Sequence, residues 1–224
     1  MLEVACFNNH SAIAAANAGA DRIELCADYA AGGVTPSLSA LQHVRNGTTI
    51  PVNVMIRPRG GDFNYSAEEF VQMKEEMNML KPLASGFVFG ILDSNNLVDD
   101  ARNRELVQMA APLACTFHRA IDETKDLEMS VEAVINCGFK SVLTSGSMRN
   151  ALEGAEQLGR IQKKYGRTLS IIAGGGVRRT NIEELRAKAG VTWLHSAAIT
   201  QHGEDVDELE VKKMQILLAA LERQ

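Results

Sequence analysis

The sequence predicts an eight-fold (β/α) barrel, and three observations predict it. Short apolar runs that read as strands alternate with helical segments eight times within 224 residues. Three helix-to-strand junctions repeat one device, Ala18-Gly19-Ala20-Asp21-Arg22-Ile23, Cys137-Gly138-Phe139-Lys140-Ser141-Val142 and Ala189-Gly190-Val191-Thr192-Trp193. In each, a glycine takes the left-handed position that stops a helix, and a short connection enters the next strand. The third observation is Ser170–Val177, an apolar run that ends in Gly174-Gly175-Gly176. That turn follows the seventh strand, where barrels often bind phosphate. Alternation of this kind implies a parallel sheet with crossover helices. Eight units in this length leave little for further layers, so a closed barrel is favoured over an open doubly wound sheet, and one domain is expected over residues 1–224.

The elements follow in order. Leu2–Cys6 reads as the first strand and Asn9–Asn17 as the first helix, stopped at Gly19. Asp21–Leu25 is the second strand, followed by a serine-capped helix over Ser37–Arg45. Val52–Ile56 is the third strand. A long loop, Arg57 to Tyr65, leads to Ser66-Ala67-Glu68-Glu69, a capping box opening a helix to about Leu80. Gly86–Leu92 and Asp100–Ala110 form the fourth pair, Ala114–His118 and Leu127–Cys137 the fifth, and Ser141–Thr144 and Asn150–Tyr165 the sixth. Leu169–Ala173 is the seventh strand, and Thr180-Asn181-Ile182-Glu183 is a second capping box opening a helix to about Ala189. Val191–His195 and Asp207–Arg223 close the set.

Composition narrows the function. Hydrophobic residues make up 46% of the chain, enough for a full core. The net charge is −5, and lysine and arginine are spread without a basic tract, so nucleic acid is not the expected partner. No apolar run reaches the roughly 18 residues of a membrane span. The chain enters a strand almost at its first residue, which leaves no room for a signal peptide. Cys6, Cys26, Cys115 and Cys137 form no paired motif, which fits free thiols in the cytoplasm.

Strand side chains alternate faces, so one polar residue fixes its neighbours. Glu24 is not expected against an apolar helix layer, and Cys26 shares its parity. Asn53, Met55 and Arg57 share an inner parity, as do Thr116 and His118. Glu3 and Ala5 oppose Val4 and Cys6, so Cys6 faces inward only if the strand ends or bulges there. The polar set expected at the C-terminal mouth is Glu24, Cys26, Arg57, Arg59, Asp62, Asp93, His118, Arg119, Asp122, Ser145, Gly146, His195 and Ser196. Glu24 and His118 suit proton transfer, with Arg57 beside them as a third catalytic candidate, because a carboxylate and an imidazole can be tuned near neutrality. Arg57, Arg59, Arg119, Ser145, Gly146, Gly174, Gly175, Gly176, His195 and Ser196 suit an anion, since guanidinium forks and glycine N–H groups match carboxylate or phosphate. The structural alternative for Glu24 and Arg57 is an interior ion pair. Cys6 and Cys26 end neighbouring strands, about 4.8 Å apart, and with Met55 offer soft donors of the kind copper(I) prefers.

The sequence resembles the CutC family. The motifs that carry the resemblance are Gly19-Ala20-Asp21-Arg22-Ile23-Glu24-Leu25-Cys26, Gly32-Gly33-Val34-Thr35-Pro36-Ser37, Ile56-Arg57-Pro58-Arg59-Gly60-Gly61-Asp62-Phe63 and Thr116-Phe117-His118-Arg119-Ala120. Leu143-Thr144-Ser145-Gly146 and His195-Ser196 continue it, and it spans nearly the whole chain. The departure is Ala197–Asp207, shorter than the family pattern. The resemblance implies a cytoplasmic barrel, a homo-oligomer (dimer or tetramer), a link to copper homeostasis, and Cys6 and Cys26 as copper ligands.

Two readings follow. In one, the protein binds copper(I) through Cys26 and Cys6. In the other, the mouth is an enzyme site (isomerase, lyase or hydrolase) for a small phosphorylated or carboxylated metabolite. Several arginines and a glycine turn suit the second reading more than a metal carrier.

Overall fold

The computed structural model describes residues 1–221 and 223. Eight parallel strands close into a barrel in sequence order: β1 Leu2–Cys6, β2 Arg22–Leu25, β3 Val52–Met55, β4 Gly86–Phe89, β5 Ala114–Phe117, β6 Ser141–Thr144, β7 Ser170–Gly174 and β8 Trp193–Ser196. The closing pair, β1 with β8, runs in register Glu3↔His195, so the open-sheet alternative is excluded. The helices are α1 Asn9–Asn17, α2 Leu38–Gly47, α3 Ala67–Leu80, α4 Asp100–Ala110, α5 Leu127–Cys137, α6 Ala155–Tyr165, α7 Ile182–Ala189 and α8 Glu208–Leu221. The expected end of the last helix, Arg223, lies across residue 222, outside the described residues.

Helix starts follow their local chemistry. Asn8, Ser37, Asp99 and Asp126 each accept a hydrogen bond from a first-turn N–H of α1, α2, α4 and α5. The Ser66–Glu69 capping box is complete on α3. Below that cap α3 buries Phe70, Met73, Met77 and Leu80, a stripe at helical spacing. Each such side chain contributes about 2 kcal/mol by leaving water. At the other ends Gly19, Gly138 and Gly190 all have positive φ, as the three junctions require.

Two helix starts differ from expectation. Thr180 and Glu183 form no capping box; α7 begins at Ile182. Asn181 accepts from Arg178 N at 2.9 Å and donates to Gly176 O at 2.9 Å, so its amide folds the preceding loop onto itself. Helix α6 begins at Ala155, not Asn150. Asn150 and Glu153 do bond to each other, but in a separate turn ahead of the helix. Gly154 enforces the break: a Cβ there would sit 1.9 Å from Ser145 O, so only glycine lets the two loops touch.

The alternation of faces holds in the barrel. Val52, Val54 and Ile56 pack in the sheet–helix layer, while Cys26, Met55 and Val88 form a small cluster in the lumen. Cys6 packs with Val4 in the outer layer, because β1 stays regular through Cys6↔Leu25.

Candidate active site

The deepest charged layer of the barrel is fixed by strand register. Glu3 stands opposite Arg22 on one side and opposite His195 on the other. Arg22 Nε donates to Glu3 Oε2 at 2.5 Å, and its guanidinium lies 3.9 Å over the Trp193 ring. His195 Nδ1 donates to Glu3 Oε1 at 2.8 Å, and His195 Nε2 lies 3.3 Å from Glu24 Oε2. The result is a chain, Arg22–Glu3–His195–Glu24, running from the barrel floor toward the mouth. Ala5, in register with Glu24, is small enough to leave space beside it.

Burial and charge set the protons in this chain. Burial opposes the Glu3 charge, but the hydrogen bonds and charges of His195 and Arg22 outweigh it and hold Glu3 ionised. Burial also opposes charge on His195, but the two carboxylates overcome it and raise its pKa. Burial pushes Glu24 up to about 7; the His195 and Arg22 charges pull it down, but the Glu3 charge adds to burial. Glu3, Glu24 and His195 offer ligand atoms within 4.8 Å of one another. A cation would need His195 deprotonated, and both ring nitrogens already face carboxylates, so the triad holds a proton better than a metal.

A cavity of about 130 Å³ opens above this chain. Glu24, Cys26 and Met55 form one part of its wall, with His118, Arg119 and His195 in another, and Arg57 and Phe63 complete it. The sequence predicts a fifth strand running to His118, but β5 ends at Phe117. His118 caps the short 3-10 turn Arg119–Glu123, accepting from Ala120 N on Nδ1 at 3.3 Å. That bond makes Nδ1 the acceptor, so the ring's hydrogen sits on Nε2. Burial, aided by the Arg57 charge, pushes His118 down to about 3, so the ring is neutral. Phe63 packs edge-on against it, with ring centroids 4.8 Å apart. Three buried polar atoms of the cavity-lining residues, Glu24 Oε1, Arg57 Nε and His118 Nε2, have no partner among the described residues.

Arg57 lines the cavity but is not an anion clamp. Its Nη1 donates to the carbonyls of Ala31, Gly32 and Gly33 at 3.1–3.2 Å, and Nη2 donates to Gly61 O at 2.8 Å. Gly32 and Gly33 have φ of 80° and 89°, which turns their carbonyls onto the guanidinium. The ion pair with Glu24 is likewise absent. Arg57 ties the β2–α2 loop to the β3–α3 loop, and that explains why the two glycine-bearing motifs occur together in the sequence.

The anion set divides. Arg59 is spent on Glu69, at 2.6 Å, and on Asp62, away from the cavity. Ser145 and Gly146 face an anion that the chain itself supplies. Asp122 accepts from Ser145 N, Ser145 Oγ, Ser147 N and Thr144 Oγ1, and pairs with Arg119 Nε at 2.8 Å. Gly146 N donates instead to Thr144 Oγ1. Ser196 Oγ donates to Val177 O at 2.6 Å and so fixes the loop after β7. Gly174 packs against Leu143 and His195, where a Cβ would meet Leu143 at 2.5 Å. Gly175 and Gly176 turn with φ of 109° and 72°, and the bare Gly175 lies against Ser145 and the Arg119 guanidinium. Arg119 also lines the cavity, and its Nη1, like the buried Nε of Arg57, is not used elsewhere among the described residues.

The cysteines separate. Cys26 lines the cavity beside Met55, and Cys6 faces the helices, so the two do not form an inward pair. All four cysteines are free. The site residues not foreseen are Glu3, Arg22 and Phe63. Glu3 carried a signal, the single charge in an otherwise apolar strand; its partner Arg22 could be assigned only once register was known.

The CutC family profile matches residues 1–200. A CutC family protein of Mesorhizobium japonicum is 42% identical over 188 residues, 84% of this chain and 73% of that protein. The human protein named copper homeostasis protein cutC homolog is 39% identical over 199 residues, 88% of this chain and 73% of that one. The crystal structure of a CutC protein from Streptococcus agalactiae superposes with a TM-score of 0.82 at 30% identity, over 88% of this chain and 98% of that one. Phosphoribosylanthranilate isomerase from Thermotoga maritima shares the fold alone, with a TM-score of 0.64 at 10% identity and 97% of each chain covered. With closed barrel, double-glycine loop and Arg57 tether all in place, the profile match over most of its length shows that this chain belongs to the CutC family.

Proposed function

We propose that the cavity is an enzyme site for a small anionic metabolite, with Glu24 exchanging a proton with the substrate and His118 donating a hydrogen bond to it. One observation carries the reading: Glu24 Oε1 and His118 Nε2 are buried without partners at one cavity. Unpaired buried polar groups cost stability, typically about 1–3 kcal/mol each, and clusters of them mark places where a ligand completes the bonding. Arg22 holds Glu3, Glu3 holds His195, and His195 lies against Glu24. Arg119 and the Arg57 charge favour a negative ligand. The test is ring NMR of His118 during titration with acetate, phosphate and small metabolites of both classes. A site of this kind shows saturable shifts of the Nε2 signal; no shift with any anion of either class sinks the proposal.

A second reading has its own observation. Cys26 and Met55 pack together on the cavity wall, a thiol and a thioether of the kind copper(I) prefers. The human relative's name supports a role in copper homeostasis. Burial first, and then the Glu24 charge, push the Cys26 thiol well above its ordinary range, so copper would have to displace a proton. Copper(I) titration against a competing chelator decides this. Cys26→Ser weakens binding and Cys6→Ser does not; equal loss in both variants removes the Cys26–Met55 site.

A cytoplasmic location accords with four free thiols, and among the described residues no helix is long and apolar enough to cross a membrane. A homo-oligomer remains part of the proposal on family grounds, and light scattering reads it as a multiple of 24.3 kDa.

A further inference from the structure

The cavity narrows the substrate and the reaction. Its volume of about 130 Å³ is close to that of an engineered cavity that takes up benzene. A reacting fragment of about six heavy atoms, the size of a short keto acid, fits that volume. The nest after β6 is filled by the Asp122 carboxylate. At the Gly175 turn an anion meets Arg119, whose Nη1 is not used elsewhere among the described residues, a grip suited to a carboxylate. His118 is locked by Ala120 N as the tautomer with hydrogen on Nε2, so it offers one fixed donor. Strands β2 and β5 lie three positions apart in the ring, so Glu24 and His118 approach a bound molecule from different directions.

We infer that the site enolises a small α-keto acid: Glu24 Oε1 takes a proton from the carbon beside the carbonyl, and His118 Nε2–H stabilises the oxygen that becomes negative. The C–H pair becomes the C=C bond of the enolate, and the carbonyl π pair moves to oxygen. The proton rests on Glu24 and returns to carbon in the reverse step, so atoms and charge balance without an oxidant or a second substrate. Neutral imidazole suits this task, because it donates to the oxyanion without protonating it. His195, held by Glu3, keeps Glu24 in place while its proton comes and goes. Cys26 and Met55 on the neighbouring wall are apolar toward the substrate's methyl end. This inference rests on the enzyme reading above and adds the reaction and substrate class.

The experiment is solvent exchange. The protein is incubated with pyruvate and with 2-oxobutanoate in D₂O near neutral pD, and loss of the protons next to the carbonyl is followed by ¹H NMR. Exchange should exceed the protein-free rate at least about a hundredfold, the usual scale of a positioned acid–base group. Glu24→Gln and His118→Gln should each abolish most of it, with folding checked by circular dichroism. Should either variant unfold, saturating oxalate, a planar mimic of the enolate, must suppress exchange in the unaltered protein. Exchange that survives Glu24→Gln or oxalate overturns the inference. So does a keto acid that shifts the His118 Nε2 signal without exchanging, and in that case the enzyme reading stands. If no anion shifts that signal, both fall together.

Discussion

Glu3 and His195, 192 residues apart in the chain, face each other across the seam that closes the barrel, with Oε1 and Nδ1 at 2.8 Å. The contact joins the first strand to the last and at the same time sets the proton on the ring that supports Glu24. Fold and site therefore share one hydrogen bond, and removing either partner disturbs both.

Replacing Glu3 by Gln leaves His195 and Arg22 facing an uncharged amide deep in the barrel. Breaking one side of a buried charged pair typically costs about 3–5 kcal/mol. Urea unfolding should show a loss of that order. Because the Glu3 hydrogen bond and charge raise His195, its NMR titration should move to lower pH in the variant. An unchanged His195 titration contradicts the chain described here.

Stability should fall on the alkaline side of acid pH, and Glu24 should be a main cause. Its folded pKa, about 7, lies above the 4.5 of an unperturbed glutamate. A raised pKa stabilises the fold below the unfolded value, and that contribution is lost as pH rises through the folded one. His195 is raised too, so it acts in the same direction. The Glu24 part is on the order of 3 kcal/mol between pH 4.5 and 8. Glu24→Gln should flatten the slope of unfolding free energy against pH in that window.

His118 behaves in the opposite sense. Its folded pKa, about 3, lies below the 6.5 of an ordinary histidine. Its contribution is complete above pH 6.5 and is lost as pH falls toward 3. Long-range ¹H–¹⁵N spectra at pH 7 should show His118 neutral with hydrogen on Nε2 and His195 carrying hydrogen on Nδ1 toward Glu3. A His118 ring protonated on Nδ1 would remove the fixed donor.

Arg57→Met should be costly even though no carboxylate is lost. Four carbonyls from two loops lose their donor, and hydrogen bonds to a charged group are worth about 1.5–3 kcal/mol each before relaxation. A loss of roughly 3 kcal/mol or more is expected, together with faster amide exchange across Ala31–Gly33 and Gly60–Phe63. A variant as stable as the unaltered protein would restore the possibility that Arg57 serves ligand rather than loops.

Asp122→Ala should free the nest after β6. Thr144, Ser145 and Ser147 lose a shared acceptor, and Arg119 loses its ion pair. About 2 kcal/mol of destabilisation is expected. Amide exchange at Ser145 and Ser147 should rise, and inorganic phosphate should shift these amides in the variant and not in the parent. Phosphate binding to the parent at these amides would mean that Asp122 does not fill the nest.

Much of the architecture was legible along the chain because its causes are local. Strand and helix alternation, the Ser66–Glu69 box and the three glycine stops depend on residues within a turn of one another. Face alternation placed Glu24, Cys26, Met55, Arg57 and His118 inward without knowledge of any partner. What each inward group does was not legible, because partners come from other strands and loops. Arg57 looked like an anion clamp until the Gly32–Gly33 and Gly61 carbonyls closed on it. Ser145 looked open until Asp122 reached it from the preceding unit. Cys6 looked like a mate for Cys26 on spacing, yet a regular β1 turns the two to opposite sides of the sheet.

By itself the sequence determined the number and order of the units, where helices stop, and which side chains enter the lumen, since backbone periodicity and capping are short-range effects. Only the tertiary structure decided which of those side chains satisfy one another and which stay unpaired. Closing the ring sets the register between strands distant in sequence, and register assigns His195 to Glu3 while Glu24 Oε1 and His118 Nε2 find no partner among the described residues.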